Sequence, residues 1–131
     1  MRILVFIFCL VVFEVSANDL LLFNEAAKSS DNLIIDSQTE IQLLGSLSNG
    51  YKIYNYRHYF NGGIRVSTRL VAIDKYNVLV GIYGINDWAS NISGDCVMFP
   101  NIKEHGNSIC LINNKLPATA WVDGENSVLF K

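Results

Sequence analysis

The chain has 131 residues, half of them hydrophobic, and a formal net charge of −2 at pH 7. This length fits one domain with a substantial core, but not two. The slightly acidic balance argues against a nucleic-acid-binding protein, which would carry a strongly basic surface.

Residues 1–17 have the three parts of an export signal. Arg2 supplies the positive start, residues 3–13 form an unbroken apolar run, and residues 15–17 end in small side chains, as a cleavage site does. The apolar run is too short for a bilayer, which takes about 20 residues to span. We therefore expect one domain over residues 18–131 that is exported, periplasmic or secreted, and without a stable membrane anchor after cleavage.

The cysteines predict one disulfide. Cys9 is removed with the leader, and it follows Phe8 inside the apolar run, whereas a lipid-modified cysteine follows a small residue after that run. Cys96 and Cys110 remain, and in an oxidising compartment two cysteines form a bridge. Closing a loop of about 15 residues stabilises a fold by roughly 3 kcal/mol in the chain-entropy model. No C-x-x-C motif is present, so we expect neither a metal centre nor a redox site.

The first part of the mature chain predicts helical structure. A short helix is expected over residues 19–28, with Asn18 or Asp19 as its N-cap and an apolar stripe along one side. Residues 37–40 (SQTE) match a capping box, which favours a second helix over the apolar residues that follow. The alternation within residues 41–45 indicates a strand with nearly equal force. We favour the helix.

Residues 51–73 predict a β-hairpin around the turn Asn-Gly-Gly at positions 61–63. With a three-residue loop, Phe60 pairs with Ile64 and Tyr54 pairs with Leu70, so that the apolar side chains share one face. A two-residue loop would mix polar and apolar side chains on both faces, because a one-residue slip exchanges the faces of a strand. The opposite face of the hairpin then collects polar, cationic and aromatic side chains, namely Asn55, Arg57, Tyr59, Arg65 and Arg69.

The remainder of the chain predicts further strands. Residues 78–85 are apolar on both faces and indicate a central strand, in which Gly81 and Gly84 mark a bulge or a close backbone contact. A polar loop over residues 86–95 precedes short strands near residues 96–99, 109–112, 119–122 and 127–130, with turns at Asn113-Asn114 and Asp123-Gly124. The expected fold is mainly β (α+β): a single small domain with an antiparallel sheet, sandwich or barrel-like arrangement, a short helical N-terminal segment and one disulfide.

We expect no enzymatic activity, no cofactor and no metal. His58 falls on the predicted core face opposite Val66, where a buried structural histidine is the expectation, and His105 falls in an exposed loop. No catalytic triad spacing, zinc-protease motif, phosphate loop or calcium loop is present. Carboxylate pairs of the kind that glycosidases use are expected in any soluble domain of this size. Asp87 beside Trp88 is explained equally well by a surface loop.

The charge is distributed unevenly and suggests an interface. Residues 18–40 hold five acids and one lysine, whereas residues 41–86 hold five cations and one aspartate. Arginine and tyrosine are enriched at the energetic centres of interfaces. The polar hairpin face is therefore a candidate interface for an envelope or secreted protein with an acidic surface. The alternative is a solvated strand face, or one covered by the acidic N-terminal segment of the same molecule.

Three classes of function fit these features. The cleaved leader, the small mature domain, the missing lipid cysteine and the missing catalytic signature resemble the small periplasmic accessory proteins of type IV pilus and secretin systems. That resemblance implies a non-enzymatic protein-binding module, an accessory or assembly factor for a cell-envelope machine such as a pilus or secretion apparatus. The alternatives are a periplasmic inhibitor or immunity protein against a secreted cell-wall enzyme, and a carbohydrate-binding toxin or adhesin subunit. Residues 110–115 (CLINNK) with Pro117 resemble the C-terminal region of cholera-like B subunits, but the long preceding helix and wide-spaced disulfide of those subunits are missing.

Overall fold

The structure, a computed structural model, describes residues 16–100 and 107–131. Within these ranges the chain forms one helix, α1 (Ala17–Ala27), followed by nine strands. The strands are, in chain order, β1 (Thr39–Ser46), β2 (Lys52–Phe60), β3 (Arg65–Ile73), β4 (Leu79–Gly84), β5 (Asn91–Ser93), β6 (Cys96–Met98), β7 (Ser108–Cys110), β8 (Thr119–Val122) and β9 (Glu125–Phe130).

The strands form two antiparallel sheets. The larger sheet has six strands in the order β1-β2-β3-β4-β9-β8, and the smaller has three in the order β5-β6-β7. The predicted mainly β fold with a short N-terminal helix is therefore confirmed. The predicted central strand is confirmed as well, because β4 lies between β3 and β9.

The six-stranded sheet is covered on both faces. On the face that we call the helix face, α1 buries Phe23 edge-on against the ring of Tyr54, with ring centroids 4.8 Å apart. On the opposite face, the small-sheet face, the two sheets share a second core, which includes Ile53, Leu70, Tyr83, Val97 and Ile109. The domain therefore has three layers, and its central strands need apolar side chains on both sides.

Helix α1 begins slightly earlier than predicted. Its N-cap is Ser16, whose Oγ accepts a hydrogen bond from the Asp19 N–H at 3.1 Å. The cap therefore lies neither at Asn18 nor at Asp19 itself. Ser16 and Ala17 belong to the predicted leader, the rest of which lies outside the described residues. Processing after Ala17 would remove this cap, so that the burial of Phe23 rather than capping would hold the helix in place.

The favoured second helix is wrong, because residues 39–46 form strand β1. Ile41 and Leu43 lie opposite two tyrosines of β2 and pack into the helix-face core. Within residues 37–40, which suggested the capping box, Thr39 serves a turn, since its Oγ1 accepts a hydrogen bond from the Asp36 N–H at 3.1 Å, and the Glu40 carboxylate accepts one from the Tyr59 hydroxyl at 3.2 Å. Side-chain alternation thus outweighs the capping pattern here.

The predicted disulfide joins Cys96 to Cys110. The two residues lie directly opposite each other on β6 and β7, so the bridge closes the small sheet on itself. The loop between these strands contains residues 101–106, which lie outside the described residues, and the predicted exposed position of His105 falls there.

Gly81 marks both a bulge and a close contact, as the sequence predicts. β3 and β4 slip by one residue next to it, and a Cβ at Gly81 would collide with the side chain of Leu129 on β9. We expect Gly81→Ala to lower the free energy of unfolding by about 2 kcal/mol through overpacking, measured by chemical denaturation. The double variant Gly81→Ala/Leu129→Ala no longer has the collision. Its loss of unfolding free energy should therefore be smaller than the sum of the losses of the two single variants. A fully additive loss would contradict the contact.

Candidate binding site

The β2–β3 hairpin differs from the predicted register by one residue. Phe60 lies opposite Arg65 and Tyr54 lies opposite Val71, so that residues 61–64 form a four-residue loop. The first three of these loop residues adopt positive φ. The prediction of a three-residue loop assumed that apolar side chains share one face of the hairpin. In a sheet that is covered on both faces, they are divided between two cores instead.

The sheet therefore separates the five residues of the predicted interface. Because side chains alternate along a strand, Asn55, Arg57 and Tyr59 lie on the small-sheet face, whereas Arg65 and Arg69 lie on the helix face. The prediction that all five share one face is wrong. Each group has its own surroundings.

Asn55 is an internal clamp. Its side chain is fully buried, and its amide oxygen accepts a hydrogen bond from the Ala89 N–H at 2.9 Å. Its Nδ2 donates to the Ala89 carbonyl at 3.0 Å and to Gln42 Oε1 at 2.8 Å. Asn55 thus pairs both backbone groups of Ala89 and fastens the loop that follows β4 to the large sheet.

Arg57 and Tyr59 are also engaged within the molecule. The Arg57 guanidinium lies 4.5 Å from the Trp88 ring centroid, and its Nη1 is 3.9 Å from Glu40 Oε1. The Tyr59 hydroxyl donates to the same carboxylate oxygen at 3.2 Å. This half of the predicted interface is therefore contacted by the acidic N-terminal segment, to which Glu40 belongs.

Arg65 and Arg69 have no such partners. Neither makes an ion pair with any residue in the described parts of the chain. The Arg69 guanidinium lies 5.6 Å from the ring centroid of Phe130, and its Nε is buried without a hydrogen-bond partner. The exposed Arg65 lies 6.0 Å from the ring centroid of Phe60. Two cations that nothing neutralises within the described residues are thus aligned along one face of β3.

Arg69 lies where the large sheet divides. β3 pairs with β4 only from Arg69 onward, and β9 pairs with β4 only at Leu129 and Phe130. On the N-terminal side of Arg69 and of Leu129, β3 and β9 continue, but β4 no longer lies between them. The division leaves a cleft of about 550 Å³ that is lined by parts of β3 and β9 and by residues 84–86.

The β9 side of this cleft is the part that sequence reasoning missed. Ser127 fixes the point of division, because its Oγ donates to the Gly84 carbonyl at 2.8 Å. Asn86 Nδ2 donates to Glu125 Oε2 at 2.6 Å, which ties the departing chain to the start of β9. No local pattern in residues 125–128 signals this role, since it depends on the pairing of strands that are distant in sequence.

His58 is buried, as the sequence predicts, but it lies opposite Ser67 rather than Val66. Its Nε2 is 3.1 Å from both carboxylate oxygens of Asp36. The Gln38 N–H, and after it the His58 side chain, hold the pKa of Asp36 below its ordinary value. The pair has a structural explanation, because it fastens the segment before β1 to the helix face of the large sheet.

Other kinds of site find no support in the part of the chain that the structure describes. Residues 16–100 and 107–131 hold no group of three or more His, Cys, Asp or Glu side chains placed to bind a metal ion. No helix in those ranges is both long and apolar enough to cross a membrane. Comparisons with protein-family models, with curated proteins and with solved structures give no match. What the domain binds must be inferred from its own residues.

Proposed function

We propose that this protein is an exported, non-enzymatic binding module that receives an acidic segment of a partner protein along β3, as an accessory factor of a cell-envelope machine. The observation that carries the proposal is the pair Arg65 and Arg69. They lie four residues apart on one strand face and have no acidic partner in the described chain. Arg57, by contrast, already contacts Glu40 and Trp88.

The surroundings of Arg69 favour a carboxylate ligand. A buried polar group without a partner costs about 1–3 kcal/mol, and the buried Arg69 Nε is such a group. A guanidinium presents a planar fork of donors that matches the two oxygens of a carboxylate. A partner's Asp or Glu side chain in the cleft would pair with the Arg69 guanidinium, which has no acidic partner among the described residues.

Exposed apolar side chains accompany the two arginines, as expected for a protein partner. Ile64 at the hairpin tip is 82% exposed, the exposed ring of Phe60 lies 6.0 Å from the Arg65 guanidinium, and the exposed Val66 and Val128 line the cleft together with Arg69. Apolar and aromatic side chains together with arginine are the composition typical of a protein interface. A ligand without apolar groups would make no favourable contact with these side chains.

Affinity capture with matched variants tests the proposal. Wild-type protein, the double variant Arg65→Ala/Arg69→Ala and the control Lys28→Ala/Lys75→Ala are used to capture proteins from the envelope or secreted fraction of the source cells. We expect one component to bind the wild type and the control but to be reduced at least tenfold with the arginine variant. The arginine variant should unfold within about 1 kcal/mol of the wild type, because neither side chain makes an internal ion pair with a described residue.

Equal recovery with all three proteins would contradict the proposal. A hydrolase as the arginine-dependent component would favour the inhibitor alternative over the accessory factor. Arginine-dependent binding to a glycan array in place of any protein would favour the carbohydrate-binding alternative.

A further inference from the structure

The cleft at the division of the large sheet is bounded by two open strand edges. Among the described residues, the part of β3 before Arg69 pairs with β2 only, and the part of β9 before Leu129 pairs with β8 only. Neighbouring strands lie about 4.8 Å apart, so two strands that flank a third are about 10 Å apart. Where β4 ends, the gap between β3 and β9 is therefore wide enough for one strand.

The backbone groups on the β3 side point into this space. The Ile85 N–H donates to the Thr68 carbonyl at 3.1 Å, which is the last backbone bond of β3 with the chain that leaves β4. In an antiparallel ladder, alternate residues direct their N–H and C=O groups to the same side. Val66 therefore also presents its backbone groups to the cleft.

The β9 side has the same arrangement. The Leu129 N–H donates to the Ala118 carbonyl at 2.8 Å, on the side of β8. By alternation, Asn126 and Val128 present their backbone groups to the opposite side, which is the cleft. The Gly84 carbonyl would be the acceptor of the next ladder bond between β4 and β9. It accepts a hydrogen bond from the Ser127 hydroxyl instead.

The cleft is closed on one side of the sheet. After Gly84 the chain enters the small-sheet core through Ile85, and the contact between Asn86 and Glu125 ties this exit to β9. Arg69 and Phe130 lie on the helix face, because they neighbour Tyr56 and Ile82 in their ladders. A segment that enters the cleft therefore meets the unpaired arginine on its helix-face side.

We propose that the acidic partner binds by strand addition: one extended segment occupies the cleft between β3 and β9 and continues the line of β4. This rests on the proposed function and names the form of its ligand. Alternate side chains of the segment turn to the helix face, where one carboxylate meets Arg69. The side chains between them face Thr68, Ser127 and Asn86, where small polar residues fit. The open edges of β3 and β9 supply backbone hydrogen bonds to the segment, and Arg69 gives the preference for an acidic side chain.

Capped hexapeptides of the form S-X-S-X-S-X, in which one X is glutamate and the other two are valine, are suitable probes. Binding to the full exported chain is measured by fluorescence polarisation. We expect one of the three glutamate positions to bind at least tenfold more tightly than the all-valine peptide, and Arg69→Ala to remove that preference. Methylating the backbone nitrogens of the central residues of the peptide should weaken binding at least tenfold, because it removes bonds to the strand edges without changing the protein.

A variant of the protein provides a matched test. Val128→Pro removes one N–H that faces the cleft, and proline is tolerated where the N–H points away from the ladder partner. It should abolish peptide binding while the unfolding transition remains cooperative. Should it fail to fold, the methylated peptides decide the question alone.

Three results would overturn strand addition. They are no binding by any of the glutamate peptides, equal binding by the methylated peptides, and a purified protein that is already dimeric through this cleft. If the captured partner depends on Arg65 and Arg69 but the best peptide does not compete with it, strand addition fails and the proposed function stands. If capture does not depend on the arginines, the proposed function itself fails.

Discussion

Replacing Asn55 with alanine is expected to lower the free energy of unfolding by about 3 kcal/mol. The side chain is fully buried, and it pairs both the N–H and the C=O of Ala89, which is itself buried. The substitution leaves these two groups without partners, and each buried unpaired group costs about 1–3 kcal/mol. The loss is measured by urea denaturation with the slope held common to both proteins.

Gln42→Ala is the matched control for this prediction. Gln42 accepts one hydrogen bond from the same amide but is only partly buried, so we expect a loss of less than about 1 kcal/mol. Equal losses for the two variants would show that Asn55 does not act as the clamp of Ala89.

Removing the disulfide is expected to cost about 3 kcal/mol. Cys96 and Cys110 are separated by 14 positions in sequence, and closing a loop of about 15 residues stabilises a fold by that amount in the chain-entropy model. The double variant Cys96→Ala/Cys110→Ala should unfold at a correspondingly lower urea concentration. The wild type in reductant should match the double variant, to which reductant should make no difference.

The outcome that contradicts this second prediction is also clear. Mass spectrometry establishes whether the two thiols are free after reduction. If they are free and the urea midpoint of the wild type is unchanged, the small sheet is held by its core residues alone. Val97 and Ile109, which are both buried next to the bridge, would then be the residues to test.

Local chemistry predicted much of this fold. The strands near the C-terminus were placed by short apolar runs between turn residues, and Asn113, Asn114, Asp123 and Gly124 all adopt the positive φ that their turns require. The disulfide followed from cysteine count and the expected compartment. Features of this kind depend on residues that are close in sequence, so a single sequence contains them.

The two errors have different physical causes. The capping pattern of residues 37–40 favours a second helix, whereas residues 39–46 form β1 and follow the side-chain alternation instead. The hairpin register that gathers apolar side chains on one face would be reasonable for a sheet with one solvated face. Here α1 covers one face and the small sheet covers the other, and no local pattern announces that arrangement. The cleft cannot be predicted from local sequence either, because it arises where β4 and β9, far apart in sequence, stop pairing.

The open edges beside the cleft also bear on how the protein behaves in concentrated solution. An unpaired strand edge is a template for aggregation, and natural proteins often protect such edges with charged side chains. Arg65 and Arg69 place two positive charges beside this edge, and they would repel the same cations of a second copy that approached it. Salt screens this repulsion, since the Debye length falls from about 8 Å at physiological ionic strength to about 3 Å at 1 M. We therefore expect the purified protein to remain dispersed at low salt and to self-associate as salt is raised, because the charges of Arg65 and Arg69 keep copies apart only while they are unscreened.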